Sequence, residues 1–213
     1  MPVSVLAVML CILFSSFKSR QAAIDPLSGW DKEILKQANT ADTVSYLSPE
    51  EKKLIFYTNL CRLKPKLFCQ TVLEDYLAMH PDSSNESDVS NLKNELNEDR
   101  ACNALIPDSE LCTMAHDYAK KLGEEGLKGH IDFDARFEHI MERFNHAGEN
   151  CDYQDSTAID AFMKLLIDSR VPGYGHRESL MDGKFTSIGV SLQPHIKYKW
   201  TFVMEFAGKK VEE

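Results

Sequence analysis

Residues 185–206 read FTSIGVSLQPHIKYKWTFVMEF. Two alternating runs lie in this stretch, broken at Pro194 and His195. From Phe185 to Gln193, Ile188, Val190 and Leu192 fall on one side, and Phe185, Ser187, Gly189 and Ser191 on the other. From Tyr198 to Phe206, Tyr198, Trp200, Phe202, Met204 and Phe206 share a side. The period of two predicts a pair of antiparallel strands, with His195 as a turn residue. The Trp200, Phe202 and Met204 row is expected to be core.

Upstream of this pair the periodicity is helical. Residues 28–39 predict a short helix with Ser28 as its cap. Ser48-Pro49-Glu50-Glu51 is a strong helix start, because Ser48 and Glu51 form a capping box and Pro49 suits the first turn. Pro65 opens another helix, with Phe68, Val72, Tyr76 and Leu77 on one side. Residues 80–100 are polar and predict a loop with one short helix around Val89, Leu92 and Leu96. Asp108 caps an amphipathic helix through Leu111, Ala115, Tyr118, Ala119 and Leu122. A short helix is expected to carry Phe137, Ile140, Met141 and Phe144, a longer one runs from 156 to 168, and another short one starts at His176. Helices first and antiparallel strands last point to an α+β fold, with helices covering a small sheet.

The ends of the chain divide it further. Val3 to Phe14 is an uncharged apolar run, too short to span a bilayer and of the length of a signal-peptide core. Residues 1–20 are therefore expected to be a signal peptide, 21–47 an N-terminal appendage, 48–208 the domain and 209–213 a tail. The mature chain is expected to have no transmembrane span and to be secreted, or to lie in the periplasm or cell envelope. The chain holds 24 basic and 33 acidic residues, a net charge of −9. This acidic balance excludes nucleic acid as a partner, since phosphate neutralisation needs an excess of Lys and Arg. Five cysteines remain after residue 20, namely Cys61, Cys69, Cys102, Cys112 and Cys151. Export implies an oxidising compartment, and an odd number leaves at least one thiol without an intrachain partner.

Three short strings carry the functional signal: Gly129-His130, Ala147-Gly148-Glu149-Asn150, and Gly175-His176-Arg177 followed by Ile188-Gly189-Val190. Together with Asn59 and Arg62 in an early helix and the two closing strands, their order resembles the CAP superfamily (cysteine-rich secretory proteins, antigen 5 and plant pathogenesis-related 1), also called SCP domains. The likeness is to its bacterial branch and covers roughly residues 52–207. It implies a three-layer α-β-α sandwich, with a small antiparallel sheet between helical layers. It also implies a cleft of two histidines and two glutamates, matched here by His130, His176 and Glu149. The fourth member is missing: Phe162-Met163-Lys164-Leu165 offers no acid at the expected place, and neither Asp160 nor Asp168 is a clean match. In the same fold the stretches holding Cys112 and Cys151 border the cleft, which favours a Cys112–Cys151 disulfide; Cys61–Cys69 is the alternative.

His130 and His176 each follow a glycine, so the backbone can turn and expose the ring. A neutral imidazole can bind a metal or accept a proton, and Glu149 can ligate or orient a ring. Two histidines, one carboxylate and water form an open zinc geometry. Zinc at His130, His176 and Glu149 is thus the one cofactor the sequence would accept. No G-x-S-x-G, H-E-x-x-H or catalytic-cysteine signature is present. The expected function is a secreted, non-catalytic binding module whose ligand is a small molecule, a lipid or a peptide. The alternatives are a divalent-metal-dependent hydrolase acting on peptide or envelope polymer, and a structural or adhesion protein.

Overall fold

The protein is described by a computed structural model over residues 26–81 and 85–208. The expected signal peptide and the C-terminal tail lie outside the described residues. The two alternating runs form β3 (Ser187–His195) and β4 (Lys199–Gly208), which pair antiparallel from Ser187–Ala207 to His195–Lys199. Two further strands flank them, giving the order β1-β3-β4-β2. β2 (His146–Tyr153) is antiparallel to β4, and the two-residue β1 (Ile106–Pro107) is parallel to β3. The sheet is therefore mixed at one edge, where antiparallel pairing throughout was expected.

β2 holds Gly148, Glu149 and Asn150 in a strand that the sequence does not announce. Its sequence, HAGENCDY, lacks an apolar alternation, so no hydrophobic period marks it. It becomes a strand because polar partners await its inward side chains on both faces.

Helices cover the two faces. On one lie α6 (Ser109–Glu125), α7 (Phe133–Phe137) and a 3₁₀ turn over Ile140–Glu142. On the other lie α2 (Pro49–Leu63), α8 (Ala158–Ile167) and α9 (Gly175–Met181), backed by α1 (Lys32–Ala38) and α5 (Glu86–Asn97). Between α2 and α5 the chain forms α3 (Pro65–Phe68), a π-helical turn over Cys69–Leu73 and α4 (Glu74–Met79). The architecture is the expected α-β-α sandwich.

The capping box at Ser48 is formed: Glu51 accepts from the Ser48 N–H at 2.7 Å, and the Ser48 hydroxyl accepts from the Glu51 N–H at 3.4 Å. Asp108 caps α6 by accepting from the N–H groups of Glu110 and Leu111, and Gly126 ends it with φ +65°. The first helix starts later than expected, because Asp31 and not Ser28 caps it. The expected helix through Phe137 and Phe144 is broken into α7 and the 3₁₀ turn, which leaves Met141 exposed.

Strand alternation divides the core. Phe202, Met204 and Phe206 of β4, with Ile188 and Val190 of β3, pack towards α2 and α8. Val203 and Ala207 pack towards α6 and α7. Trp200 departs from the expected row at 36% exposure, since it lies beyond the last β2 pair, Tyr153–Thr201. Gly189 lets α6 approach the sheet: a Cβ there would lie 2.1 Å from the Leu111 carbonyl carbon. Ahead of α2, Trp30, Ala38, Ala41 and Leu47 are buried in the main core.

Asn59 and Arg62 tie α2 to the rest. The Asn59 amide donates to Ala38 O, Thr40 Oγ1 and Leu105 O, and its oxygen accepts from Leu105 N at 2.7 Å. Arg62 is fully buried and donates to the carbonyls of Asn103, Leu180, Asp182 and Phe185. Both tether α2 to the segments around it.

Candidate functional site

His130 sits in the loop after α6, and two tyrosines hold that loop. The Tyr118 hydroxyl donates to Gly129 O at 2.7 Å and accepts from Ile131 N at 2.7 Å, so it straddles His130. The Tyr153 hydroxyl accepts from Gly129 N at 2.8 Å. Gly129 has φ +96°, which favours glycine there. The His130 ring is thereby directed at β2, where its Nδ1 lies 2.7 Å from Glu149 Oε1. The Glu149 side chain is 1% exposed and that of His130 47%. A buried carboxylate at Nδ1 fixes the proton on that nitrogen and leaves Nε2 free to accept.

Behind Glu149 the polar chain continues. Arg136 of α7 places Nη2 2.6 Å from Glu149 Oε2 and Nη1 2.8 Å from Glu205 Oε1. Its Nε donates to Ile131 O, and its guanidinium lies 3.5 Å from the Tyr118 ring centroid, a cation–π contact. Glu149 and Glu205 are cross-strand partners in the β2–β4 register, which places both carboxylates on one face. Burial, followed by the Glu149 charge, pushes Glu205 well above the usual carboxylate range. Although Arg136 Nη2 lies 2.6 Å from Glu149 Oε2, it is not aligned for a hydrogen bond, and neither that oxygen nor Glu205 Oε2 receives one. One proton on Glu205 turns these two acceptors into a donor–acceptor pair. Burial opposes the Arg136 charge, but the two glutamates outweigh it and raise Arg136 above its ordinary value. With Glu205 protonated, Glu149 and Arg136 balance to zero net charge.

His176 lies elsewhere. Its Nδ1 is 2.7 Å from Asp168 Oδ1, and its main-chain N–H donates to Asp168 Oδ2 at 2.9 Å. Its carbonyl accepts from the Asn150 side chain at 2.9 Å. Glu149 and Asn150 are consecutive strand residues, so their side chains point to opposite faces. The sheet therefore separates the His130–Glu149 pair from the His176–Asp168 pair, and the expected trio of His130, His176 and Glu149 does not assemble. Arg177, beside His176, is buried on the carbonyls of Leu166 and Ile167, on Asn91 and on Glu95.

The donor set that does assemble is His130, Glu149 and Cys151, with ligand atoms within 4.8 Å of one another. Nitrogen, oxygen and sulfur donors suit zinc by type. Charge opposes it: Arg136 already neutralises Glu149, and burial holds the Cys151 thiol well above its ordinary value. The five described cysteines are free thiols. Cys151 packs with Ala115, Tyr118 and Ala119, one to two helical turns beyond Cys112 on α6, so the expected Cys112–Cys151 bridge is not formed.

The family profile described as Cysteine-rich secretory protein family, CAP, matches residues 91–206. The chain belongs to this family. Comparison with curated proteins finds no match. Among solved structures, an outer surface protein of Borrelia burgdorferi is similar at 23% identity and TM-score 0.44, over 59% of this chain and 95% of the other. Venom allergen-like protein 4 of Schistosoma mansoni is similar at 13% identity and TM-score 0.46, over 78% and 93%. An extracellular SCP-domain protein of Bacillus anthracis is similar at 18% identity and TM-score 0.43, over 76% of this chain and 44% of that longer one.

The CAP strings thus led to His130, Glu149 and His176 but not to Arg136 or Glu205, which complete the cluster. Glu205 lies in an alternating strand whose apolar residues drew attention to the other face. Arg136 lies in a short helix with no motif. Asp168, set aside as a poor match for the missing acid, is the partner of His176. A groove of about 660 Å³ runs between α6 and α7, with Met114, Tyr118, Lys121, Arg136 and His139 among its walls. Tyr118 and Arg136 belong to both the groove and the buried cluster. Among the described residues, no helix is long and apolar enough to cross a membrane.

Proposed function

We propose that the mature chain is an extracellular CAP module that binds a ligand beside His130 and does not turn it over. The observation that carries this reading is the commitment of the acids. Glu149 is taken by His130 and Arg136, and Asp168 by the ring and backbone of His176. Neither carboxylate is left to take a proton from water. His130 keeps a free Nε2, yet the sulfur nearest to it, Cys151, is buried, protonated and turned to Gly129 O. What the cluster offers is a half-exposed imidazole acceptor beside a groove of mixed apolar, basic and acidic lining. That surface suits a small or extended ligand with a hydrogen-bond donor and an apolar part, of the lipid or peptide class. Export by the segment 1–20 accords with this reading, as does the family's secreted character.

The test is native mass spectrometry of the protein after incubation with a lipid extract and, separately, with a peptide digest. A retained adduct, lost in His130→Ala and unchanged in mass over time, is expected. Time-dependent cleavage products that disappear in His130→Ala would overturn the non-catalytic reading.

A second reading, zinc binding, rests on the convergence of His130, Glu149 and Cys151. Calorimetry at pH 7.5 decides it. Saturable zinc heat that is lost in His130→Ala and Cys151→Ser but kept in His176→Ala supports it. Absence of saturable heat leaves the cluster a metal-free polar site.

A further inference from the structure

Three segments converge at the end of α2: its last turn, the connection 98–105 between α5 and β1, and the end of α9. The Arg62 guanidinium holds the junction by bonding carbonyls of all but α2 itself. Sulfur gathers beside it. Cys61 Sγ lies 3.7 Å from Met181 Sδ, and Cys102 Sγ lies 3.3 Å from the Met181 carbonyl oxygen. The Cys102 N–H donates to Arg62 O at 2.8 Å, so the main chains next to the two cysteines are already joined. Met181 is thus a common neighbour of both sulfurs.

We propose that Cys61 and Cys102 form a disulfide on exposure to a low-molecular-weight disulfide such as oxidised glutathione. Cys102 is half-buried and reachable, whereas Cys61 is fully buried. The Cys102 thiolate attacks one glutathione sulfur, forming a mixed disulfide and releasing one glutathione thiolate. The Cys61 thiolate then attacks the Cys102 sulfur and releases the second glutathione thiolate. The two thiol protons pass to the two glutathione thiolates; the protein is oxidised by two electrons and glutathione disulfide is reduced. Burial raises the Cys102 thiol and the neighbouring Arg62 charge works against that rise, which favours Cys102 as the entry point.

The other thiols are placed differently. Cys69 lies on the π-helical turn, with Glu74 and Lys93 as its charged neighbours, and burial dominates its environment. Cys112 faces Ile188 O and Cys151 faces Gly129 O, each in its own pocket of core. A Cys61–Cys102 bridge therefore replaces the Cys61–Cys69 alternative that proximity in sequence suggests. It would enclose α3 to α5 in one covalent loop and clasp the junction that Arg62 holds by hydrogen bonds.

The test uses the full chain incubated with oxidised glutathione, denatured, alkylated and mapped without reduction. Trypsin leaves Cys102 and Cys112 on one fragment, 101–120, so cleavage after Glu110 is added to separate them. The expected result is a Cys61–Cys102 linked pair, with Cys69, Cys112 and Cys151 alkylated. Reduction should lower the thermal midpoint of the oxidised wild type and of Cys69→Ser by roughly 5–15 °C, and leave Cys102→Ser unmoved. Alkylation of both Cys61 and Cys102 after oxidation, or a Cys61–Cys69 link, would overturn the proposal.

Discussion

Two arginines on opposite sides of the sheet, Arg62 fully buried and Arg136 partly exposed, are satisfied in opposite ways. Arg62, on the α2 side, takes four backbone carbonyls and no carboxylate, and burial lowers its pKa. Arg136, on the α6 side, lies between Glu149 and Glu205, and their charges raise its pKa. Carbonyls do not titrate, so the Arg62 junction keeps its hydrogen bonds at any ordinary pH. The Arg136 cluster is held by carboxylates, and burial with the Glu149 charge raises Glu205, so the charge of that cluster depends on pH. Permanent structure is built on neutral acceptors, while the candidate site is built on groups that can change.

The largest effect should come from the first arginine. Arg62→Met strands four buried acceptors and should lower stability by roughly 3–5 kcal/mol, measured by urea unfolding at pH 7. A loss below about 1 kcal/mol would mean that the junction does not depend on Arg62, and the contrast would fail.

Next is a carboxyl on the α2 side that departs from the rule. Asp152 of β2 is pushed up to about 7, first by burial and then by the Asp155 charge, with Lys164 opposing. A carboxyl whose folded pKa exceeds its unfolded value binds more protons when folded between the two. Stability should therefore fall as pH rises from about 4 to about 7, by on the order of 2–4 kcal/mol from this group. Asp152→Asn should flatten that stretch of the pH–stability curve. An unchanged slope would place the titration elsewhere.

Glu205→Gln should have a smaller effect. Burial and the Glu149 charge favour the neutral form of Glu205, so an amide of the same shape should change stability at pH 7 by less than about 1.5 kcal/mol. It should also remove the loss of stability that Glu205 ionisation imposes at higher pH, since its folded pKa is raised. A loss above about 3 kcal/mol at pH 7 would show that Glu205 is ionised and that Arg136 needs both charges.

His130→Ala should matter least to the fold. Its ring is half-exposed, and the buried Glu149 keeps Arg136 as its charged partner when the ring is removed, so a change within about 1 kcal/mol is expected by thermal unfolding.

The fold was legible wherever a residue's role repeats along the chain. β3 and β4 repeat every second residue, α6 repeats its apolar face, and α2 opens on a capping box with fixed spacing. β2 was not legible, because its inward residues Glu149, Asn150 and Asp152 are polar and are justified only by distant partners. The site was half legible for the same reason. His130 and Glu149 stand in recognisable strings, but the Arg136–Glu205 contact spans 69 residues and has no local signature. His176 was expected beside Glu149 because the CAP resemblance implies that the two share one cleft. Once Glu149 is placed on a strand, alternation sends it and its neighbour Asn150 to different faces.

The segment ahead of α2 bears on processing. Trp30 donates to Thr71 Oγ1, and Ala38 and Thr40 are held by Asn59. A signal peptidase cutting upstream of residue 26 would leave this segment whole. A protease that clipped between Trp30 and Ala38 would open a hole in the core beneath α2. The smallest fragment worth expressing therefore starts near residue 26, well before the family match at 91 begins.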